Sequence, residues 1–298
     1  MTVVTAPAPS RHAPGSLGYA VDQAAARLTA AGVETARLDA RVLAAHALGR
    51  DGSFVLTHPE TVLSPEQDKA VAALIDRRCA REPVSRILGE REFWSMPFTV
   101  TAATLSPRPD TETLVEDAVA RLRDAGRGDA PLRVLDLGTG TGCLLLAVLS
   151  ELPNAQGLGI DISDAAVAVA TQNARRLGLE NQARFQVGDW AAGLDGPFDL
   201  ILSNPPYIAE GDGPDLDPEV REFDPPAALY AGGRGLDAYA AIAPQAARLL
   251  ATGGFVIVEL GQGQEAEVVE IFRNSGLKHD GTTADLAGIP RSLCCRSE

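Results

Sequence analysis

Four short stretches of this chain hold residue types whose order could do chemistry. The apolar run Arg133 to Leu137 leads directly into Gly138-Thr139-Gly140-Thr141-Gly142 and then into a helical stretch. Glycines at such a turn let the backbone bend tightly while a ligand approaches closely. The next apolar run ends at Asp161, 19 residues past Gly142, where a carboxylate can accept bonds from both hydroxyls of a ribose. A third run ends in Gly188-Asp189-Trp190. Asp189 is placed to accept from an adenine amino group and Trp190 to flank the ring, which makes a three-point nucleoside site. The glycine pattern is G-x-G-x-G; Cys143 and Leu144 break the G-x-G-x-x-G of a dinucleotide site, which disfavours a nicotinamide cofactor. The fourth run, Phe198 to Ser203, ends in Asn204-Pro205-Pro206-Tyr207. Two prolines stiffen the turn and supply no N–H, and the first of them pushes Asn204 toward an extended backbone. The Asn204 side-chain oxygen and the Pro205 carbonyl could then accept both N–H bonds of a planar amino or amide group, with Tyr207 as an aromatic wall. Plainer readings exist: Asp161 could cap a helix starting near Ser163, Trp190 could be core, and residues 204–207 could be a bare turn. The placement of all of them at successive strand ends favours the binding site.

The elements that must position these residues follow from hydrophobic period. From Leu132 onward short apolar strands alternate with helical stretches: RVLDL, Cys143 to Leu152, GLGID, Ser163 to Leu177, ARFQV, FDLILSN, Ala238 to Leu250, FVIVEL and Glu265 to Asn274. Such alternation predicts an α/β fold, a doubly wound and mostly parallel sheet with helices on both faces, whose ligands sit beyond the C-terminal strand ends. The first ~90 residues read as a small helical bundle. Leu17 to Ala31 is apolar at helical spacing and stops at Gly32, Ala36 to Leu48 stops at Gly49, and Ser64-Pro65-Glu66-Gln67 opens a third helix with a capping box. Phe93 to Leu105 turns aromatic and β-branched, as a hairpin would. The expected organisation is therefore a disordered tail over 1–16, a helical domain over 17–92, a β-hairpin linker over 93–107 and a catalytic domain over 108–298.

Charge narrows the class of partner. Of 298 residues, 26 are basic and 40 acidic, a net charge of −14. Residues 1–105 hold 11 of each, so the whole excess lies in residues 106–298. Nucleic-acid binding depends on neutralising phosphates with Lys and Arg, so an acidic catalytic half argues for a protein or small substrate. The four cysteines, Cys79, Cys143, Cys294 and Cys295, form no C-x-x-C pair and only four histidines are present, which supports neither a disulfide framework nor a metal site. No apolar run approaches the ~18 residues of a membrane span and Met1 to Ser16 lacks a signal-peptide core, so the expected location is cytoplasmic, away from membranes.

With these motifs in place, nearly the whole chain resembles a known family. GTGTG at 138–142 with Asp161 resembles the class I S-adenosylmethionine-dependent methyltransferases, and NPPY at 204–207 those that methylate amino or amide nitrogen. EPVSRILGEREFW (82–94), SPRPDTETLVE (106–116), REFDPPAALYAGGRGLDAY (221–239) and DLAGIPR (285–291) resemble the protein (glutamine-N5) methyltransferases of the PrmC/HemK group, which modify peptide chain release factors. One departure is Ser85-Arg86, where relatives often have Gln-Tyr; it bears on local packing. The resemblance implies a seven-stranded sheet and S-adenosylmethionine as cofactor at Gly138, Thr139, Gly140, Thr141, Gly142, Asp161, Asp189, Trp190 and Asn204. It implies catalysis by Asn204, Pro205 and Tyr207, with Pro206 completing the substrate site, and no metal. It also implies that the substrate is the glutamine of a Gly-Gly-Gln motif in release factors, recognised by the helical domain without direct nucleic-acid contact. A nucleic-acid amine methyltransferase and a non-catalytic nucleoside-binding protein are the alternatives; charge opposes the first and the intact Asn204 motif the second.

An amide nitrogen is a poor nucleophile, so positioning should supply most of the catalysis. The methylated amide cation is acidic enough to lose its proton without a dedicated base, so His46, His58 and His279 are expected to be surface or packing residues. Two features stay open in the sequence. Arg108, Asp110 and Glu112 could order a loop over the cofactor, or Asp110 could cap the helix running to Gly126. The acidic stretch Glu210 to Asp224 could be a solvated loop or a lid.

Overall fold

The computed structural model describes residues 10–297, and the chain divides after Gly89 into two compact units. In the first, helices α1 (Leu17–Ala30), α2 (Ala36–Leu48) and α4 (Pro65–Cys79) are joined by two shorter ones, α3 (Gly52–Thr57) and α5 (Val84–Leu88), that are too brief to show a helical period in the sequence. Leu17, Leu28, Leu43 and Ile75 fill their common core. The capping box is present: Ser64 Oγ accepts from the Gln67 N–H while the Gln67 side chain accepts from the Ser64 N–H. A buried ion pair, Arg78 to Asp39 at 2.7 Å, ties α4 to α2. Of the expected disordered tail, residues 1–9 lie outside the described residues. Residues 10–16 are not a free tail: Ser16 is buried, caps α1 through its hydroxyl and pairs with Val62.

The second unit opens on a hairpin, β1 (Glu90–Phe93) and β2 (Met96–Thr99). It lies earlier than the stretch 93–107 in which the sequence places it, for two reasons. Three of the four β1 residues are exposed and polar, and the turn is made by Trp94 and Ser95, whose φ of 52° and 57° occupy the left-handed region without glycine or asparagine. Phe93 and Phe98 meet edge to face beneath it. After α6 (Glu112–Asp124) come β3 (Arg133–Leu137), α7 (Cys143–Glu151), β4 (Gln156–Asp161), α8 (Asp164–Arg176), β5 (Ala183–Val187), β6 (Phe198–Ser203), α9 (Pro218–Phe223), α10 (Asp237–Leu249), β7 (Leu250–Glu259), α11 (Glu265–Asn274), β8 (Leu277–Ala284) and β9 (Pro290–Ser297).

The seven strands run in the order β5-β4-β3-β6-β7-β9-β8, parallel from β5 to β7 and antiparallel at β9 and β8. This is the α/β sheet expected from the alternation. Successive residues of a strand face opposite sides, so Val134 joins the core layer under α6 and α7 while Leu135 and Leu137 join the layer under α10 and α11. Cys294 and Cys295 divide between the same two layers as free thiols. The order runs outward from β3 through β4 to β5 on one side and from β6 to β7 on the other. The crevice between β3 and β6 is thus the point where strand order reverses, and there ligands of open sheets bind.

Asn173 of α8, wholly buried, fastens the hairpin to the glycine-rich turn. Its Oδ1 accepts from the Thr99 N–H at 2.8 Å, and its Nδ2 donates to the Thr99 and Thr141 carbonyls at 3.1 and 2.9 Å. Asn173→Leu keeps the volume and strands three backbone groups, so at ~1 kcal/mol per bond it should cost about 3 kcal/mol, a fall in Tm of roughly 6–12 °C for the second unit. Thermal denaturation of the full chain checks this; an unchanged second transition would mean the hairpin is held by other contacts.

Candidate active site

At the end of β3 the chain enters a turn in which Gly138, Gly140 and Gly142 have φ of 74°, 56° and 79°. A side chain is strained at each, and this is why glycine recurs at every second position. Gly142 has a further role. A Cβ there would stand 3.2 Å from Ala170 and from the Phe185 ring. The glycine that lets the helix close on its neighbours is therefore Gly142 itself, and no later glycine is needed. Asp161, at the end of β4, pins this turn: its Oδ2 accepts from the Gly140 N–H at 2.8 Å and its Oδ1 from the Ser163 N–H at 2.9 Å. Ser163 caps α8 with its own hydroxyl. A carboxylate offers about four acceptor positions, so Asp161 keeps capacity toward the space it borders.

That space is a cavity of about 470 Å³ bordered by Asp136, the glycine turn, Asp161, Asp189, Trp190 and Asn204, and by the segment from Ala103 to Arg108 that follows the hairpin. Trp190, with φ of 48°, lies against Gly138 and also packs on the core layer under α10, so it is both core and cavity wall. Asp189 is exposed at the rim. Asp136 was not singled out by sequence reasoning, yet it is the most enclosed charge beside the turn. Burial pushes its carboxyl up to about 7, against a 2.6 Å bond from the Thr139 hydroxyl, and nearby Asp161 adds to the rise.

A second cavity, about 330 Å³, lies on the other side of the Asn-Pro-Pro-Tyr turn and is bordered by Pro205, Tyr207, Leu216, Val220, Glu259 and Arg291. Asn204 borders both cavities. Its Nδ2 donates to Thr111 Oγ1 at 3.1 Å, and Thr111 in turn donates to Glu259 Oε2 at 2.6 Å. Tyr207 is half-buried, and its hydroxyl donates to the other carboxylate oxygen, Oε1, at 3.2 Å. Burial pushes the Tyr207 hydroxyl and the Glu259 carboxyl up, while Thr111, Arg291 and Tyr207 hold Glu259 down. The Tyr207 carbonyl accepts from Gln264 at 3.0 Å, and a Cβ on Gly235, whose φ is 68°, would collide with that carbonyl. No histidine borders either cavity.

The residues left open in the sequence now have places. Asp110 caps nothing: α6 begins at Glu112 without a side-chain cap, and Asp110 instead faces Arg291 at 3.4 Å. Glu112 accepts from the Trp94 N–H at 2.8 Å and so holds the hairpin turn. Arg108 pairs at 3.0 Å with Asp224, the buried last residue of the acidic stretch. That stretch is not a plain solvated loop, for it folds into a 3-10 turn over Glu210–Asp215 and helix α9. Thr111, Glu259 and Arg291 were missed as individual residues. A signal for the carboxylates was present: Asp136 in RVLDL and Glu259 in FVIVE are the one carboxylate in each of two largely apolar strands, where an ion is costly unless something pairs with it.

The raised Asp136 carboxyl has a consequence for stability. Unfolded, the group ionises near 3.9; folded, near 7. Across that window the folded chain binds the extra proton, so stability falls as pH rises from about 4 to 7. Asp136→Asn, which can still accept from Thr139, removes this contribution. Without added ligand the variant should gain on the wild type steadily from pH 4 to 7, by on the order of 1–4 kcal/mol at the top of the window. Paired denaturant titrations at several pH values measure it; a constant difference would show that Asp136 ionises normally.

Comparison with known proteins agrees with this geometry. A model described as PrmC N-terminal domain matches residues 20–89, and one described as Methyltransferase domain matches residues 129–282. The release factor glutamine methyltransferase of Rhodospirillum rubrum is 52% identical over 280 residues, covering 94% of this chain and 85% of that protein. The protein of the same name from Bradyrhizobium diazoefficiens is 47% identical and covers 91% of this chain and 92% of its own. Among solved structures, the hMettl16 catalytic domain in complex with MAT2A 3'UTR hairpin 6 is 16% identical with a TM-score of 0.56, covering 76% of this chain and 82% of that one, a likeness of fold alone. Two cavities that share Asn204 in their borders fit these comparisons, and with relatives this similar along almost the full length the chain belongs to the release factor glutamine methyltransferase family.

Proposed function

We propose that this protein transfers a methyl group from S-adenosylmethionine to the side-chain amide nitrogen of the glutamine in the Gly-Gly-Gln motif of peptide chain release factors. The observation that carries this reading is the position of Asn204 at the junction of two cavities, one framed for a nucleoside and the other open to a substrate side chain. The larger cavity suits the cofactor. Three carboxylates, Asp136, Asp161 and Asp189, border it and favour a cationic ligand, while the left-handed glycines leave the backbone bare where a ligand must come close. The residues that would hold it are Gly138 to Gly142, Asp161, Asp189 and Trp190. When bound, S-adenosylmethionine supplies an electrophilic methyl group on a positively charged sulfur.

The remaining work falls to the chain's own atoms. Asn204 uses its NH2 on Thr111, and among the described residues no donor reaches its Oδ1. Oδ1 and the Pro205 carbonyl can therefore accept the two N–H bonds of the substrate amide and turn the nitrogen lone pair toward the larger cavity. Such bonds strengthen as positive charge builds on the nitrogen, so they favour the transition state over the ground state. Pro205 and Pro206 keep the acceptor pair rigid, Tyr207 walls the amide, and the absence of histidine from both linings fits a proton that leaves to solvent. The acid excess of residues 106–298 supports a protein over a nucleic acid as the molecule acted upon. Release factors work on cytoplasmic ribosomes, so the reading carries a cytoplasmic location with it. We assign recognition of the release factor to the helical domain expected over residues 17–92, and the match of the PrmC N-terminal domain model to residues 20–89 supports this reading.

Two substitutions test the reading. Asp161→Ala removes a charged acceptor from the larger cavity, and the dissociation constant of S-adenosylmethionine should rise about 10–100-fold; calorimetry on the folded variant with an unchanged constant would take Asp161 out of the cofactor site. Asn204→Ala should bind cofactor almost normally and lose kcat by about 10²–10³-fold, the scale for deleting one preorganised polar contact. Asn204→Asp keeps one acceptor oxygen and should be impaired less. Single-turnover transfer of labelled methyl to a release factor, with the modified residue mapped, is the measurement. A wild-type chemical rate in Asn204→Ala would mean that the turn holds no substrate.

A further inference from the structure

The reading of Asn204 as an acceptor leaves a physical question: an amide is nearly symmetric in shape, so something must decide which of its two ends faces the substrate. Rotated by half a turn about its last bond, Asn204 would present an NH2 group, repel the substrate's own N–H bonds and bind nothing. The surrounding chain of hydrogen bonds settles the direction by counting protons. Thr111 and Glu259 are each 2% exposed, and protein groups make the contacts that count here. Both side-chain oxygens of Glu259 accept: Oε2 takes the Thr111 proton at 2.6 Å and Oε1 the Tyr207 proton at 3.2 Å. A hydroxyl has one proton, and with that proton committed Thr111 can only accept along the 3.1 Å contact to Asn204. The group facing it must then be the NH2, and the oxygen is turned to the cavities. Reversal would set two oxygens against each other or take from Glu259 its shortest hydrogen bond.

We infer that Thr111 and Glu259 are positioning residues that fix the polarity of the Asn204 amide, Glu259 acting as the fixed acceptor and Thr111 as the relay. The inference rests on the reading of Asn204 as the substrate's acceptor. Neither residue touches the substrate nitrogen in this scheme. Burial works against a charge on Glu259, and the groups around it counter that effect. Arg291 of β9 lies close enough to stabilise its charge, opposed by Asp110 from the turn before α6. Tyr207 donates to its side chain, and Tyr239 of α10 donates to its backbone carbonyl at 2.8 Å. Arg291 is itself held by Asp285 at 3.0 Å and faces Asp110, so residues from the 285–291 segment support the acceptor from behind.

A double-mutant cycle on the full-length protein separates this role from simple packing. Thr111→Val keeps the shape and deletes the relay; Thr111→Ser keeps the hydroxyl. With S-adenosylmethionine saturating, Thr111→Val should lower the single-turnover rate on a release factor about 10–100-fold, leave cofactor affinity and substrate KM within about threefold, and be largely rescued in Thr111→Ser. Introduced into Asn204→Ala, where no amide remains to be oriented, Thr111→Val should cost almost nothing more. Glu259→Gln, which can offer Thr111 either a donor or an acceptor, should give an intermediate loss and serves if Thr111→Val folds poorly. A wild-type rate in both Thr111→Val and Glu259→Gln, beside an impaired Asn204→Ala, overturns the polarity relay and spares the acceptor reading. Losses that multiply undiminished in the Asn204→Ala background overturn it as well, because the pair would then act independently of the amide. A wild-type rate in Asn204→Ala overturns the acceptor reading itself.

Discussion

A carboxylate taken out of water must be given back its hydrogen bonds and a compensating charge, or it will not stay ionised. Glu259, at the last position of β7, is buried and faces that demand. Satisfying it draws separate parts of the chain to one point: the turn before α6 sends Thr111, the turn after β6 sends Tyr207, and β9 brings Arg291 alongside. None of these segments is near another in sequence. Their convergence stiffens the irregular backbone around Asn204, which contains no helix or strand of its own to hold it. An apolar residue at 259 would pack as well and would leave the Thr111 and Tyr207 hydroxyls looking for partners.

Asp136 is the counterpart on β3. It is also a single carboxylate ending inside an apolar strand, but it has only the Thr139 hydroxyl and no cation nearby among the groups that shift it, so burial prevails and its carboxyl rises to about 7. The two carboxylates thus stand on either side of the reversal in strand order and behave differently. Burial raises the Glu259 carboxyl as well, but Thr111, Arg291 and Tyr207 oppose the rise, and the group organises a turn. The other faces the larger cavity poorly compensated, which suits a site whose ligand brings positive charge. The difference comes from their surroundings, since both residues sit at strand positions of similar depth.

The glycine turn shows the same economy of means. Three left-handed residues in five let the backbone reverse between β3 and α7 while leaving no Cβ in the way of a ligand, and Asp161 fixes the turn to β4 by a backbone hydrogen bond. Asn173 then ties that turn to the end of the hairpin, four residues before the segment that borders the cavity. Backbone supplies much of the border of this cavity, and Leu144, Ile160 and Trp190 are shared between its wall and the core.

The sequence by itself determined the class of fold, the strand ends that carry GTGTG, Asp161, Trp190 and NPPY, and the family, because these depend on local rules: hydrophobic period, glycine's access to left-handed backbone and proline's fixed φ. It determined less wherever the decisive partner is distant. The hairpin was placed late because its first strand is polar and its turn uses Trp94 and Ser95 in a conformation that their types do not announce. Asp110 could be read as a helix cap or as part of a loop over the cofactor, and it faces Arg291, 181 residues away in the chain. Thr111, Glu259 and Arg291 were legible only as anonymous members of longer motifs, and Asp136 only as an oddity within an apolar strand. Which oxygen or nitrogen each of these groups offers, and to whom, is a matter of hydrogen-bond counting in three dimensions. No spacing along the chain encodes it; only the packing of β3, β6, β7 and β9 side by side brought the atoms within reach of one another.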